Sequence, residues 1–348
     1  MKEKNWTLMK VWNESLIQKM SEPRKTEPRN RMYASELGRS DIDIFLKLKG
    51  EEPSNNPDER AHRKFNAGDL TEWFVKLVLV KTGIYVATQT PVKITIDNCI
   101  EVSGKLDFIA GGKPDFNKGQ NEIDELIRLL ELPPLFSVIS NNLIEYFKQK
   151  YPEGLQEKIL EVKSLAVQGF NKIEKTGKPI AGHDLQAFHY AYGLQKEAAI
   201  CYISRDDWRM YEIPIFPNDQ KLLDKYTEKV KRVSKYYLDD IRPELEPLFL
   251  FEEETLRFST NFNVQYSNFL TKLYGFEHPE EYKDLVSKRV SSWNRVLGRV
   301  AKKQKMTPKN LEALEDIKSE GFDLGEIIKT LEKNQPLIEI EDDELLED

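Results

Sequence analysis

The sequence predicts an α/β fold with a central mixed β-sheet flanked by helices, and three observations point to it. Apolar residues recur with helical spacing over 70–78, strand-like alternation follows at 84–110 and again at 158–165, and a helix-like stretch over 184–196 leads into a strand pair. The order helix, strands, strand, helix, strands lacks the regular alternation of a doubly wound sheet, which selects a mixed sandwich. A chain of 348 residues is long enough for one large domain or two ordinary ones.

The first 60 residues are polar and mixed, with a helix expected over 6–20 and with Pro23, Pro28, Pro53 and Pro57 breaking any longer one. They read as a lead-in that packs on the core. Leu70, Trp73, Phe74, Leu77 and Val78 lie at i, i+3, i+4, i+7 and i+8, the buried stripe of an amphipathic helix with Gly83 as its C-terminal cap and Glu72 at the edge. Strands are expected over 84–90, 92–95 and 100–110. In the last, Ile100, Val102, Leu106 and Phe108 share one face, and Glu101, Ser103, Lys105 and Asp107 the other.

Residues 111–155 read as an insertion, with a Gly/Pro-rich turn and helical spacing over 123–132 and 138–147. The strand at 158–165 comes next, then a polar loop over 169–182, the helix at 184–196, and strands at 197–204 and 208–215 around the turn Arg205-Asp206-Asp207. The organisation is then a lead-in (1–60), a core (61–216) with its insertion, a charged helical region (217–337) and an acidic tail (338–348) that is a candidate docking segment for a protein partner.

The formal net charge is −7 with 32% charged residues, so contact with a polyanion needs local basic patches or metal ions. One such patch is 288–309, where Lys288, Arg289, Arg295, Arg299, Lys302, Lys303, Lys305 and Lys309 occur without an acidic residue. Cys99 and Cys201 are too few for a disulfide framework or a four-thiolate cluster. No signal peptide or membrane span is visible, which predicts a cytoplasmic protein. Oligomeric state leaves no mark in the sequence.

The candidate chemistry lies in acids and one lysine: Glu72, Asp107, and Glu161 with Lys163 in Ile159-Leu-Glu-Val-Lys163. Carboxylates hold Mg²⁺, and Mg²⁺ activates water against a phosphate. An acid two residues before a lysine also occurs at Asp219–Lys221, Glu281–Lys283 and Asp316–Lys318, so spacing alone decides little. Glu161 differs in lying inside an apolar strand, where period 2 puts it beside Lys163 with Val162 on the other face. Pro114-Asp115 is a second rival, but an Asp after Pro in a Gly-rich stretch most often makes a turn.

These residues resemble the PD-(D/E)XK nuclease superfamily, in its RecB-like and Cas4-like exonuclease branch. The resemblance is carried by Gly68 with Glu72, Gly104 with Asp107, Glu161-Val162-Lys163, and Gln186-Ala-Phe-His-Tyr190, which matches the QxxxY element on the helix after the catalytic strand. It covers roughly residues 30 to 215, lacks the iron–sulfur cysteines of the Cas4 type, and carries a longer stretch between Asp107 and Glu161 than a minimal core needs. It implies a restriction-endonuclease-like core in which Asp107, Glu161 and the backbone carbonyl of Val162 ligate Mg²⁺ or Mn²⁺. Glu72 binds a second ion or orients water, Lys163 positions or deprotonates the attacking water, and Gln186 and Tyr190 contact substrate or support Lys163. The activity it implies is metal-dependent cleavage of DNA, in first place by an exonuclease of phage or prokaryotic recombination and repair type. The alternatives are an endonuclease, or a non-catalytic DNA-binding or assembly protein retaining the fold. Lys288, Arg289, Arg295, Arg299, Lys302 and Lys303 are candidate DNA contacts.

Overall fold

A computed structural model describes residues 26–129, 141–253 and 255–333. The helix expected over 6–20 and the acidic tail lie outside the described residues, as does the middle of the insertion. Two compact units divide the chain, one formed by 26–52 with 57–243 and the other by 53–56 with 244–333.

The first unit contains strands β1 (Arg31–Tyr33), β2 (Tyr85–Thr88), β3 (Pro91–Ile94), β4 (Glu101–Lys105), β5 (Phe108–Gly112), β6 (Leu155–Leu165), β7 (Ala198–Ser204) and β8 (Met210–Ile215). Its helices are α1 (Asp41–Leu48), α2 (Glu59–Lys81), α3 (Gln120–Leu129), α4 (Asn141–Lys150), α5 (Val167–Thr176), α6 (His183–Leu194) and α7 (Gln220–Leu238). The main sheet runs β2-β5-β6-β7-β8, with β6 and β7 parallel and the other neighbours antiparallel. A three-stranded sheet, β1-β4-β3, accompanies it. The fold is therefore the mixed α/β architecture expected, a central mixed sheet flanked by helices.

Alternation along β6 and β7 sorts the core into two layers. Leu160, Val162, Ala199, Cys201 and Ile203 pack with Val75, Leu79 and Val80 of α2 and Ile123 of α3. Ile159, Ala198, Ile200 and Tyr202 face the opposite way, onto Leu185 and Phe188 of α6 and Tyr226 and Val230 of α7. All seven residues of β7 are buried, as the near-continuous apolar run of a strand covered on both faces demands.

Several expectations need correction. The stripe Leu70, Trp73, Phe74, Leu77, Val78 is not the buried face of α2: Leu70, Trp73 and Val78 are exposed, and Thr71, Val75, Leu79, Lys76 and Val80 are buried instead. The helix is apolar almost all round over 70–80, so periodicity alone mis-phased it. Buried Lys76 is tolerated because its ammonium pairs with Glu122. The run 100–110 is two strands, broken at Leu106–Asp107, with β4 in the small sheet and β5 in the large one. The stretch taken as a polar loop contains α5, a helix that buries only Phe170 and Ile173 and ends on Gly177 at φ 62°. Residues 31–48 also contribute Met32, Ala34, Leu37, Ile44 and Leu48 to the core. Helix α7, expected with the C-terminal helices, belongs to the first unit.

The second unit joins a hairpin, β9 (Phe249–Glu252) and β10 (Arg257–Thr260), to short helices α8 (Phe262–Gln265) and α9 (Leu270–Tyr274) and to α10 (Pro279–Ala301), α11 (Pro308–Ser319) and α12 (Leu324–Lys333). Trp293 is fully buried in its separate core, against Phe249 and Phe258.

Candidate active site

The site is built at the break between β4 and β5 and on the adjoining strand β6. At the break, the Asp107 carbonyl accepts the Thr88 hydroxyl at 2.7 Å and the Gln89 N–H at 3.3 Å. The Asp107 carboxylate accepts the Val162 N–H at 2.8 Å, so a side chain takes over a bond that a strand backbone would otherwise make. Asp107 is thus held against β6 beside Glu161.

Period 2 places Glu161 and Lys163 on the α6 side of β6, and the Lys163 ammonium donates to Glu161 Oε1 at 2.7 Å. The same ammonium donates to Gln186 Oε1 at 3.1 Å. Gln186 is followed one turn later by Tyr190, whose hydroxyl lies 3.5 Å from Gln186 Nε2 and donates to the Lys105 carbonyl at 3.0 Å. The chain of contacts therefore ends beside the segment that carries Asp107. Gly104 makes room for it: a Cβ there would stand 2.7 Å from the Tyr190 hydroxyl and 3.0 Å from the Ala34 methyl.

Charge is unbalanced in this pocket. Glu161 is 1% exposed, and its Oε2 has no hydrogen-bond partner. Burial pushes its carboxyl up to about 7, opposed by Lys163 and reinforced by Asp107 and Glu72. Asp107 is raised too, by burial, against the pull of Lys163 and the Val162 N–H. Glu72, on α2, is pushed up to about 7 by burial and by the charges of Asp107 and Asp69. Lys163 is raised, because three carboxylates outweigh the burial that disfavours its charge. Three acids that resist ionising together around one lysine form an arrangement that gains from a further cation.

The residues fit a divalent ion in one definite respect: a buried carboxylate oxygen lacks any donor. Asp107 and Glu161 offer carboxylate oxygens, the hard donors that suit Mg²⁺ or Mn²⁺. Among the described residues no three His, Cys, Asp or Glu side chains already converge as a ready cage.

His183 and His189 flank the Gln186 motif and read from sequence as packing or phosphate contacts rather than metal ligands; His183 stands at the start of α6. The Tyr202 hydroxyl accepts the Ile180 N–H at 3.0 Å and lies 3.0 Å from His183 Nδ1. Tyr202 is fully buried, and the Ile180 N–H and the His183 ring are the hydrogen-bond partners of its hydroxyl. Burial, with Lys163 nearby, lowers His183 to about 4, so the ring is neutral at neutral pH. Register could have signalled this, since Tyr202 is the direct β7 neighbour of Lys163. His189 packs elsewhere, with Nδ1 2.8 Å from the Tyr226 hydroxyl.

The rival acids have ordinary structural roles. Asp219 caps α7 by accepting from Leu222 N–H, Glu281 lies in the first turn of α10, Asp316 binds Arg289 and Trp293, and Asp115 makes a turn with Asn117 N–H. Of the basic residues in the second unit, Lys288, Arg295 and Arg299 share one face of α10, which Lys302 continues at its C-cap. Lys303 follows at φ 51°. Arg289 does not join that face. It is bound to Asp316 at 2.7 Å and Glu320 at 2.6 Å and stacks over Phe249 and Trp293.

No protein-family model matches the sequence, and no curated protein matches it. Among solved structures, the chain is similar to the crystal structure of SSO0001, at 12% identity and a TM-score of 0.37, covering 65% of this chain and 87% of that one. It is also similar to an alkaline exonuclease (LHK-Exo) from Laribacter hongkongensis, at 12% identity and a TM-score of 0.36, covering 66% and 93%. At these scores the likenesses carry no argument about activity. Among the described residues, no helix is long and apolar enough to cross a membrane.

Proposed function

We infer that this chain is a metal-dependent deoxyribonuclease of the PD-(D/E)XK type, an exonuclease in the first instance, acting on DNA in the cytoplasm. The observation that carries this is the cluster of buried Asp107 and Glu161 with half-buried Lys163, with an orphaned Glu161 oxygen and a glutamine that steadies the lysine. A bound Mg²⁺ or Mn²⁺ supplies a Lewis acid for the phosphate and a more acidic water. Asp107 and Glu161 would hold it, and Glu72 would hold a second ion or orient water. Lys163, held by Glu161 and Gln186, would offset the charge that builds on the phosphate and would position or help deprotonate the attacking water. Gln186 fixes the lysine, and Tyr190 fixes Gln186 through its bond to the Lys105 carbonyl. Lys288, Arg295, Arg299, Lys302 and Lys303 of the second unit contact the DNA backbone, and the acidic tail docks a protein partner.

The test is to incubate the protein with end-labelled linear DNA and with covalently closed circles, in Mg²⁺, Mn²⁺ or EDTA. Loss of linear DNA alone, dependent on metal and absent in Asp107→Ala and Lys163→Ala, is the expected result. Cutting of circles makes the enzyme an endonuclease. Metal-independent cleavage, or no cleavage of either substrate, overturns the proposal.

A further inference from the structure

The turn between β7 and β8 holds a tryptophan in a conformation that a tryptophan disfavours. Trp208 has φ 61°, the left-handed region where a bulky side chain is a genuine outlier, and strain of this kind concentrates at functional sites. Its side chain is nevertheless 46% exposed, so the strain does not serve the core. The turn around it is well bonded. The Trp208 N–H donates to the Ser204 carbonyl, Ser204 N–H to the Arg209 carbonyl, and Arg205 N–H to the Leu165 carbonyl, all within 2.9 Å. Asp206 accepts from Val167 N–H at 2.7 Å, and Arg209 is fixed by Asp207 and Glu174. A glycine would satisfy this geometry without strain.

The position of the ring supplies a reason. Its centroid is 4.6 Å from that of Phe74, and the two planes are tilted by 51°. Phe74 follows Glu72 by two residues on α2. Leu165, to which the turn is tied, follows Lys163 by two residues on β6. The aromatic pair is thus held by the same two elements, α2 and β6, that carry Glu72, Glu161 and Lys163.

We propose that Trp208, backed by Phe74, is a stacking shelf for an unpaired base of the DNA strand entering the site, so that the preferred substrate is a single-stranded or frayed end. The shelf rests on the nuclease function inferred above. Every base has a π face, so such a shelf holds strand without reading sequence, whereas the bases of an intact duplex are already stacked on one another.

Binding is measured in EDTA with the full chain, using a labelled oligothymidylate and a blunt duplex of equal length. Trp208→Phe keeps a ring, and Trp208→Leu keeps apolar contact with Phe74 without one. The expected result is near-native oligothymidylate binding by Trp208→Phe and a loss of about tenfold or more in Trp208→Leu and Trp208→Ala, with duplex binding changed by less than about twofold. Unchanged oligothymidylate binding in Trp208→Leu overturns the shelf, and so does an equal loss on both probes. These outcomes are independent of cleavage: a wild-type protein that cuts no DNA in Mg²⁺ defeats the nuclease function, while a wild-type protein that cuts, with Trp208→Leu binding normally, defeats only the shelf.

Discussion

Each unit contains a network of charged groups, and the two solve the cost of burial in opposite ways. In the second unit Arg289 meets Asp316 and Glu320, and the Trp293 N–H donates to Asp316 at 2.8 Å. Arg289 and the Trp293 N–H hold Asp316 below the usual carboxylate range, although burial works against them. In the first unit Glu72, Asp107 and Glu161 share one lysine, and one oxygen of Glu161 has no donor at all. The second network is arranged for stability, while the first carries a cost that a bound cation would relieve.

The largest effect that can break this contrast is on activity. Asp107→Ala and Lys163→Ala are expected to lower DNA cleavage by roughly a thousandfold while the circular dichroism spectrum stays native. Arg289→Ala serves as the control, and a comparable loss of the chemical step at saturating DNA would show that the two networks are not functionally distinct.

Next in size is the pH dependence of stability without metal. Glu161 has a folded value of about 7 against an ordinary 4.5. An acid whose folded pKa is raised holds its proton more tightly when folded, so its stability is full below about 4.5 and is lost as pH rises to about 7, by about 3 kcal/mol. In EDTA, denaturant midpoints should fall over that window in the wild type and fall less in Glu161→Gln, and Mg²⁺ should restore the wild type. Asp316 has the opposite sign: its folded pKa is lowered, so its contribution is present above the ordinary aspartate value and is lost only as pH falls below it. Identical pH slopes in wild type and Glu161→Gln would remove the first half of the contrast.

A smaller change sharpens the role of the lysine's support. Gly104→Ala drives a methyl into Tyr190, and should cost about 1–3 kcal/mol in stability and lower kcat more than it raises KM, through Gln186 and Lys163. Equal activity in that variant would remove Tyr190 from the positioning chain. Smallest is Arg289→Ala itself, expected to lower stability by about 1–2 kcal/mol by urea denaturation, since its ion pairs are partly exposed.

Much of the site was legible where one element carries its residues alone. Glu161 with Lys163 follows from the period of one strand, and Gln186 with Tyr190 from one turn of one helix. Asp107 was legible as a residue but not as a geometry. The break that lets its carboxylate replace a strand bond arises because β4 and β5 join different sheets, and no local pattern marks that division. Helix α2 shows the complementary failure: a segment apolar on nearly every side gives no phase, so the stripe read as core is the face with Leu70, Trp73 and Val78 exposed. The Tyr202–His183 contact joins the start of α6 to β7, elements whose approach no local pattern marks, and the left-handed backbone of Trp208 in the β7–β8 turn has no glycine to announce it.

The most direct test of the central claim is calorimetric titration of Mn²⁺ into the metal-free protein at pH 6.5 in buffers of different ionisation enthalpy. The expected result is saturable binding with proton release, because the ion displaces protons held by Glu161 and Glu72, with binding lost in Asp107→Ala. Binding that is unchanged in Asp107→Ala, or no saturable binding by the wild type, would contradict a metal-dependent site at Asp107 and Glu161.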